Sequence, residues 1–450
     1  MPRDALSPRA GQWSCGSDDT HNEEAKTPGI GNPKLQCCGS MGRLVSPWLC
    51  VSLAITLPTL ASAQGAGPQS AGTRAETLKQ AREEKQKRAA AYSPNALERG
   101  MYIAERRLAP LLAAPDGVHL KLGSLTTGSG FAYGAGYRNR RLFDREAAVT
   151  AWAAASLKRY WALEARFDLP DLADGRLFIG AYARRQTYPQ EDFFGVGPDA
   201  RRNDHTTFQI ANTIVGGRAG VKLAPVITAG GGLEYFRPEI GRGRNNSVPT
   251  IEDRFTDATA PGLSAARNFL RTMAFVDVDY RQPKNARRGG WYRLEASDVR
   301  DRGNAFTFRR LDVDLRQYAS ILAERRVLAI RLFASTSDPA SGARVPFYLM
   351  PSLGGHDTLR GFRDYRFRGP HAILTQTEYR WEIWSGLDAA LFYDAGKVAL
   401  RRADLDFRRL EDAYGFGFRF NTDNGTIFRI DAGFGSRDGK HLYIVFGDVF

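Results

Sequence analysis

The sequence predicts an all-β chain. Its core is a transmembrane antiparallel β-barrel of about 16 strands, preceded by a short helical N-terminal extension. Three observations point there. Apolar and polar residues alternate with a period of two over segments of about ten residues, the length of a tilted strand crossing a bilayer. The polar faces of those segments carry charges and glycines together, as a crowded aqueous lumen would. A leader-like segment near the start implies export, yet no cysteine follows it to form a disulfide.

Composition bounds the alternatives. The 450 residues are 43% hydrophobic, which is too apolar for a disordered chain. Mean hydropathy is −0.38, which leaves no room for a set of transmembrane helices. The formal charge of +14 suggests nucleic acid, but the export signal argues against it and the arginines are spread along the chain. No nucleic-acid partner is expected.

Residues 1–40 contain nothing a signal peptide needs and read as a misassigned start or a disordered segment, with Met41 as the initiator. Residues 41–63 read as a signal peptide. Arg43 supplies the positive region, Leu49 to Leu60 the apolar run, and Ala61-Ser62-Ala63 the small residues before the cut. The run is short for a retained anchor. Cys15, Cys37, Cys38 and Cys50 all precede that cut, so neither disulfides nor thiolate metal sites are expected after it. Residues 64–116 are rich in charged helix formers and read as a helical periplasmic extension. Within it, Leu97, Met101, Ala104 and Leu108 share one helical face.

The barrel is expected over residues 117–450. Strands are predicted at 118–127, 130–140, 147–157, 159–168, 176–185, 206–223, 226–236 and 269–281. A second set follows at 290–301, 306–319, 325–335, 370–383, 386–398, 412–422, 425–436 and 440–450. In "AYGFGFRFN", Tyr414, Phe416, Phe418 and Phe420 face one way, and Gly415, Gly417, Arg419 and Asn421 the other. A soluble sandwich also alternates, but strand length and the charged, glycine-containing faces favour the barrel. The apolar phase slips between Phe306 and Leu311, and a β-bulge near Arg309-Arg310 would account for that. Short turns at 223–225, 384–386 and 421–425 alternate with long connections at 186–205, 237–268 and 336–369, as the two rims of a barrel require. Alternate carboxylates at Asp277, Asp279, Asp312 and Asp314 are expected to neutralise Arg271, Arg281, Arg310 and Arg316. No metal site and no cofactor site is legible.

The longest connection carries "SLGGHDTLRGFRDYRFRG", dense in glycine and arginine. "GGHDTLRGF", "TEYRWEI" and "LFYDAGKV", with "EDFFGVGP" upstream and an aromatic terminus at Phe450, resemble the bacterial surface antigen family of outer-membrane barrels. That superfamily holds barrel-assembly factors and two-partner secretion transporters. The resemblance covers most of 118–450. It implies that the loop motif Gly354, Gly355, Leu359, Arg360, Gly361 and Phe362 folds back into the lumen, with Arg360 meeting Glu378 and Asp394. It also implies that Phe450 is a targeting aromatic, although Asp448 interrupts the terminal pattern. An arginine fork suits this role because it holds a carboxylate by two parallel bonds and keeps its charge. Family members usually carry α/β periplasmic substrate-binding domains ahead of the barrel, and residues 64–116 lack the strand–helix alternation of one.

The implied function is a bacterial outer-membrane barrel for protein assembly or translocation, whose expected partners are outer-membrane lipid and either unfolded outer-membrane proteins or a separate periplasmic partner. A passive or gated solute pore is the alternative. An enzyme is the least favoured reading: His119, His205, His356, His371 and His441 form no recognisable catalytic pattern, and the adjacent His356 and Asp357 would face oppositely on a strand.

Overall fold

The computed structural model describes Glu84 and residues 116–142, 147–265, 267–282, 287–321, 325–384, 386–422 and 425–446. Residues 1–63, the helical face at Leu97 to Leu108, Asp448 and Phe450 lie outside the described residues.

Sixteen strands form one antiparallel sheet in which each pairs with the next along the chain, rolled into a nearly closed barrel. The first eight are β1 (Gly117–Gly123), β2 (Ala132–Asn139), β3 (Ala148–Ser156), β4 (Trp161–Leu172), β5 (Leu177–Phe193), β6 (Thr206–Ala224), β7 (Ile227–Arg242) and β8 (Phe269–Asp279). Then come β9 (Gly289–Asp301), β10 (Phe308–Ile321) and β11 (Arg326–Pro339). A two-stranded hairpin, β12 (Ser352–Leu353) and β13 (Phe367–Arg368), lies in the connection that follows. The sheet resumes with β14 (His371–Trp384), β15 (Leu387–Ala399), β16 (Glu411–Thr422), β17 (Gly425–Gly435) and β18 (Gly439–Phe446).

The sheet has two unlike faces. Val276, Leu294, Val313 and Ala334 are cross-strand neighbours in one outward row of β8–β11. One strand-repeat toward the long connections, the row Ala274, Ala296, Leu311 and Thr336 follows, and then Thr272, Asp298, Arg309 and Asp338. Toward the short turns the apolar band ends where the hydroxyls of Tyr280 and Tyr292 meet at 2.8 Å, beside Gln317. An apolar band between an aromatic rim and a charged rim is what a hydrocarbon slab selects. On β15 and β16, Leu391, Tyr393, Tyr414 and Phe416 are exposed, whereas Asp388, Ala390, Phe392 and Asp394 of the opposite face are buried.

Two features depart from the sequence reading. No bulge occurs near Arg309-Arg310: β10 pairs both neighbours without a shift from Phe308 to Tyr318. The phase slips because Phe308 belongs to the inward face, where it is buried. It joins Phe193, Phe208, Phe236, Phe269 and Phe347 in an apolar core at the long-connection end. That core also explains why β5, β7 and β11 run on to Phe193, Arg242 and Pro339, past their expected ends.

The carboxylate pairing is also partly different. Asp279 holds Arg281 at 2.8 Å and Asp314 holds Arg316 at 2.7 Å. Asp277 instead takes Arg293 from the neighbouring strand at 2.8 Å, and Arg271 binds Glu295. Arg310 donates to Ser337 Oγ at 2.9 Å and to the Leu349 carbonyl. For Asp277 the partner came from register rather than from nearness in sequence.

Leu391→Arg, in the middle of the outward band, should destabilise the barrel in lipid by about 2–4 kcal/mol, and Gln317→Arg at the rim by about 1 kcal/mol or less. Equilibrium unfolding in vesicles checks this; equal costs at the two depths would contradict the assignment of the apolar face to lipid.

A buried guanidinium lattice at the candidate functional site

The site grows from the connection between β11 and β14, residues 340–370. Gly354 and Gly355 adopt φ of +118° and +91°, a left-handed backbone open to glycine. Thr358 Oγ1 accepts the Gly354 N–H at 2.8 Å, and the Phe362 carbonyl accepts that of Gly355 at 3.1 Å, closing the turn. Leu353, Leu359, Phe362 and Phe367 are then buried against Ala372, Leu374, Val398 and Ala413 of β14–β16. The segment therefore packs on the face of the sheet opposite the exposed apolar band.

This packing delivers Arg360, itself fully buried, onto two strands. Its Nε and Nη2 donate to the two oxygens of Asp394 on β15 at 2.8 and 2.7 Å. Its Nη1 donates to Glu378 Oε2 on β14 at 2.7 Å, and its backbone N–H reaches Asp394 at 3.2 Å. The guanidinium carbon lies 3.5 Å from the centre of the Phe392 ring, which closes one face of the fork.

Neither carboxylate serves Arg360 alone. Glu378 also accepts from Arg380 at 2.7 Å and from Arg419 of β16 at 3.0 and 2.8 Å. Arg419 continues to Asp431 of β17 at 2.7 Å, and Asp431 accepts from Arg429 at 2.5 Å. Arg429 reaches back to the loop, donating to the His356 carbonyl at 3.0 Å and to Asp357 at 3.1 Å. Four guanidinium groups thus meet four carboxylates, with one of each contributed by the loop between residues 357 and 360. Buried charges survive only when paired in this way.

Backbone contact tightens the joint. A methyl group placed on Gly433 of β17 would sit 2.0 Å from the Arg360 carbonyl oxygen, and one on Gly361 would sit 2.3 Å from the Gly435 nitrogen. Tyr443 of β18 donates to the Phe362 carbonyl at 2.7 Å.

The remaining arginines of the loop have separate attachments. Arg366 Nε meets Asp438 at 3.2 Å and stacks near Phe194 and Phe367. Arg368 is buried and donates to the Phe347 carbonyl at 3.0 Å. Its own carbonyl accepts the Gly197 N–H at 2.7 Å, which ties "EDFFGVGP" to the loop. The backbone N–H of Arg363 reaches Asp438 at 3.4 Å. Burial, with Asp192 adding to it, pushes the Asp364 carboxyl up to about 6. His356 and Asp357 do converge, Nδ1 to Oδ1 at 2.6 Å, because they lie in a loop rather than a strand. Arg429 engages that same carboxylate, so the pair is part of the ionic lattice. No group of three or more metal-ligating side chains is assembled among the described residues.

Strand parity places Arg419 on the polar face, but its joining Arg429 and Asp431 in this cluster is a finding of the structure. Arg419 and Arg429 are directly opposite each other in register, an arrangement of like charges that only the intervening Asp431 makes tolerable.

Arg360→Ala should cost about 3–5 kcal/mol, since it leaves the buried Asp394 carboxylate without its cation. The readout is the temperature at which the folded band is lost on electrophoresis without boiling. Arg360→Lys should restore little of it, because an ammonium lacks the fork. Gly433→Ala should lower the same temperature with every charge left in place; no change there would mean the close backbone approach is unimportant.

Residues 282–441 match the Omp85 superfamily domain. Among solved structures, the chain is similar to BamA from Haemophilus ducreyi lacking POTRA domains 1–3, at 12% identity and a TM-score of 0.55, with 77% of each chain covered. It is also similar to CdiB from Acinetobacter baumannii, at 14% identity and a TM-score of 0.48, over 74% of this chain and 59% of that one. For CdiB from Escherichia coli the values are 13% and 0.47, over 77% and 69%. No curated protein sequence matches the chain. At this identity the likeness to BamA speaks to the fold alone, and the Omp85 superfamily match lies in the C-terminal part of the chain.

Proposed function

We propose that the barrel assembles or translocates proteins at the outer membrane, and that residues 352–369 form an inward-folded loop that braces its lumen. One observation carries this reading. Arg360 and Asp357 tie the loop to β14, β15, β16 and β17 through a continuous set of ion pairs, buried except at the half-exposed Asp357. A loop serving only as a surface cap gains nothing from burying so many charges, which cost more to desolvate than exposed ones. A brace that fixes one half of the wall leaves the rest free to accommodate a client. The clients would be unfolded outer-membrane proteins or chains handed over by a separate periplasmic partner, with residues 64–116 as the periplasmic extension and residues 41–63 as its signal peptide. The chemistry of the site is ionic and structural; no residue is assigned a catalytic role.

A solute pore is the second reading. It is favoured by a polar hollow of about 400 Å³ on the inward face of β1–β4, lined by Lys121, Arg138, Glu164 and Arg166. The loop leaves that region open.

Depleting the protein and surveying the outer-membrane proteome tests the first reading. The expected result is a selective fall of several barrel proteins or of one exported client. An unchanged proteome and secretome, with steady single-channel conductance of the purified barrel in planar bilayers, would replace it by the pore.

A further inference from the structure

The lipid-facing side of the barrel is apolar along most of β8–β11, but its end at the long connections is not. Arg309 projects outward from β10 with 86% of its side chain exposed, and Arg300 from β9 with 67%. Arg402, in the connection after β15, reaches across to the same place with 58% exposed. Each of the three makes a single carboxylate contact among the described residues. Arg300 and Arg309 share Asp298, and Arg402 takes Asp338. Asp298, Arg309 and Asp338 lie in one cross-strand row. Three cations thus surround two anions, and most of their N–H donors point away from the protein.

Directly below that row the surface is hollow. Thr272, Ala274 and Ala296 are small where neighbouring outward positions carry Leu270, Leu294 and Leu311. A groove of about 500 Å³ opens over them, walled by Leu311 and topped by Arg309 and Arg402. A second hollow of about 440 Å³ sits above, lined by Arg300, Asn304 and Thr307, and the two share Asp298, Arg309 and Asp338. The pair forms one continuous cleft, apolar and narrow toward the membrane, polar and cationic toward the outside.

We infer that this cleft binds a phosphorylated glycolipid of the outer leaflet. An acyl chain lies over Thr272, Ala274 and Ala296, and a headgroup phosphate sits on Arg309, flanked by Arg300 and Arg402. The level fits, because longer loops of such barrels face the exterior and the charged row marks where the hydrocarbon ends. The chemistry fits as well: guanidinium groups hold phosphate oxygens by paired bonds, and Asn304 and Thr307 offer hydrogen bonds to sugar hydroxyls. A ring of mobile surface arginines needs no groove of small residues beneath it, and a lipid-facing groove needs no arginines above it. Their coincidence selects an amphiphile with an anionic head.

The purified full chain in neutral detergent would be titrated with bis-phosphorylated lipid A and with the same lipid after dephosphorylation, with bound lipid counted by native mass spectrometry. One phosphorylated molecule should be held, and the dephosphorylated one should bind about tenfold more weakly. The combined Arg300→Gln, Arg309→Gln and Arg402→Gln variant should lose the same factor for the phosphorylated lipid. Ala296→Leu should weaken both lipids by filling the groove. Arg237→Gln, outward on β7, should change neither. Equal affinity for the two lipids, or wild-type binding by the triple variant, overturns the headgroup site. Undiminished binding by Ala296→Leu overturns the groove. If the triple variant does not fold, Arg309→Gln alone carries the test, with about a threefold loss expected and no loss counting against the site.

Discussion

An arginine buried without water must be answered charge for charge, and the C-terminal half of the barrel is arranged around that requirement. Arg360 alone would demand one carboxylate. It receives two, from adjacent strands, and through Glu378 the site draws in further cations. Arg380, Arg419 and Arg429 supply them, and Asp431 and Asp357 bring the set back to balance. The members share partners, so each one's position is held by more than one of the others. Such a lattice adds little net stability compared with an apolar core of the same volume. What it gives is position. The loop can occupy one register against the strands, because sliding by a residue would take Arg360 off Asp394 and set Leu359 or Gly361 against that carboxylate.

Around this lattice the same strands carry a second, unrelated demand. Every other residue must suit lipid while its neighbours suit the interior, so the period of two is enforced from both sides at once. That is why the strands were legible. Sixteen segments read from alternation correspond to sixteen paired strands, because few single residues could violate the pattern without a cost on one face or the other. Phe308 shows the limit. As an apolar residue it was counted with the lipid side, but it points inward into a cluster with Phe193, Phe208 and Phe347. Hydrophobicity alone cannot tell a membrane from an apolar core when a barrel contains both. For the same reason the ends of β5, β7 and β11 were misjudged, since the strands continue where the interior, rather than the bilayer, supplies the apolar surroundings.

The site was legible in a different way. Strand parity gave the facing of Arg419, but parity does not state which rows coincide. The suggested partners of Arg360 came from resemblance to a family motif. The larger set needs the register of β14 to β17, in which Phe392 lies opposite both Glu378 and Gly415. It also needs the loop fold that turns His356 and Asp357 toward Arg429. Register is a property of pairs of strands, and no single strand's sequence contains it.

The attachments of the loop are unevenly distributed around the wall, and this has a mechanical consequence. Toward β14–β18 they comprise the ionic lattice, an apolar cluster, a backbone contact at Gly433 and the Tyr443 hydrogen bond. Toward β1 and β2 they comprise little more than the bond between Thr126 and Tyr365 at 2.8 Å and a long contact with the Thr127 carbonyl. Among the described residues β1 pairs only with β2, and β18 only with β17. Displacing the loop from the C-terminal strands would expose buried charge and apolar surface together. Moving β1–β4 relative to the loop breaks far less.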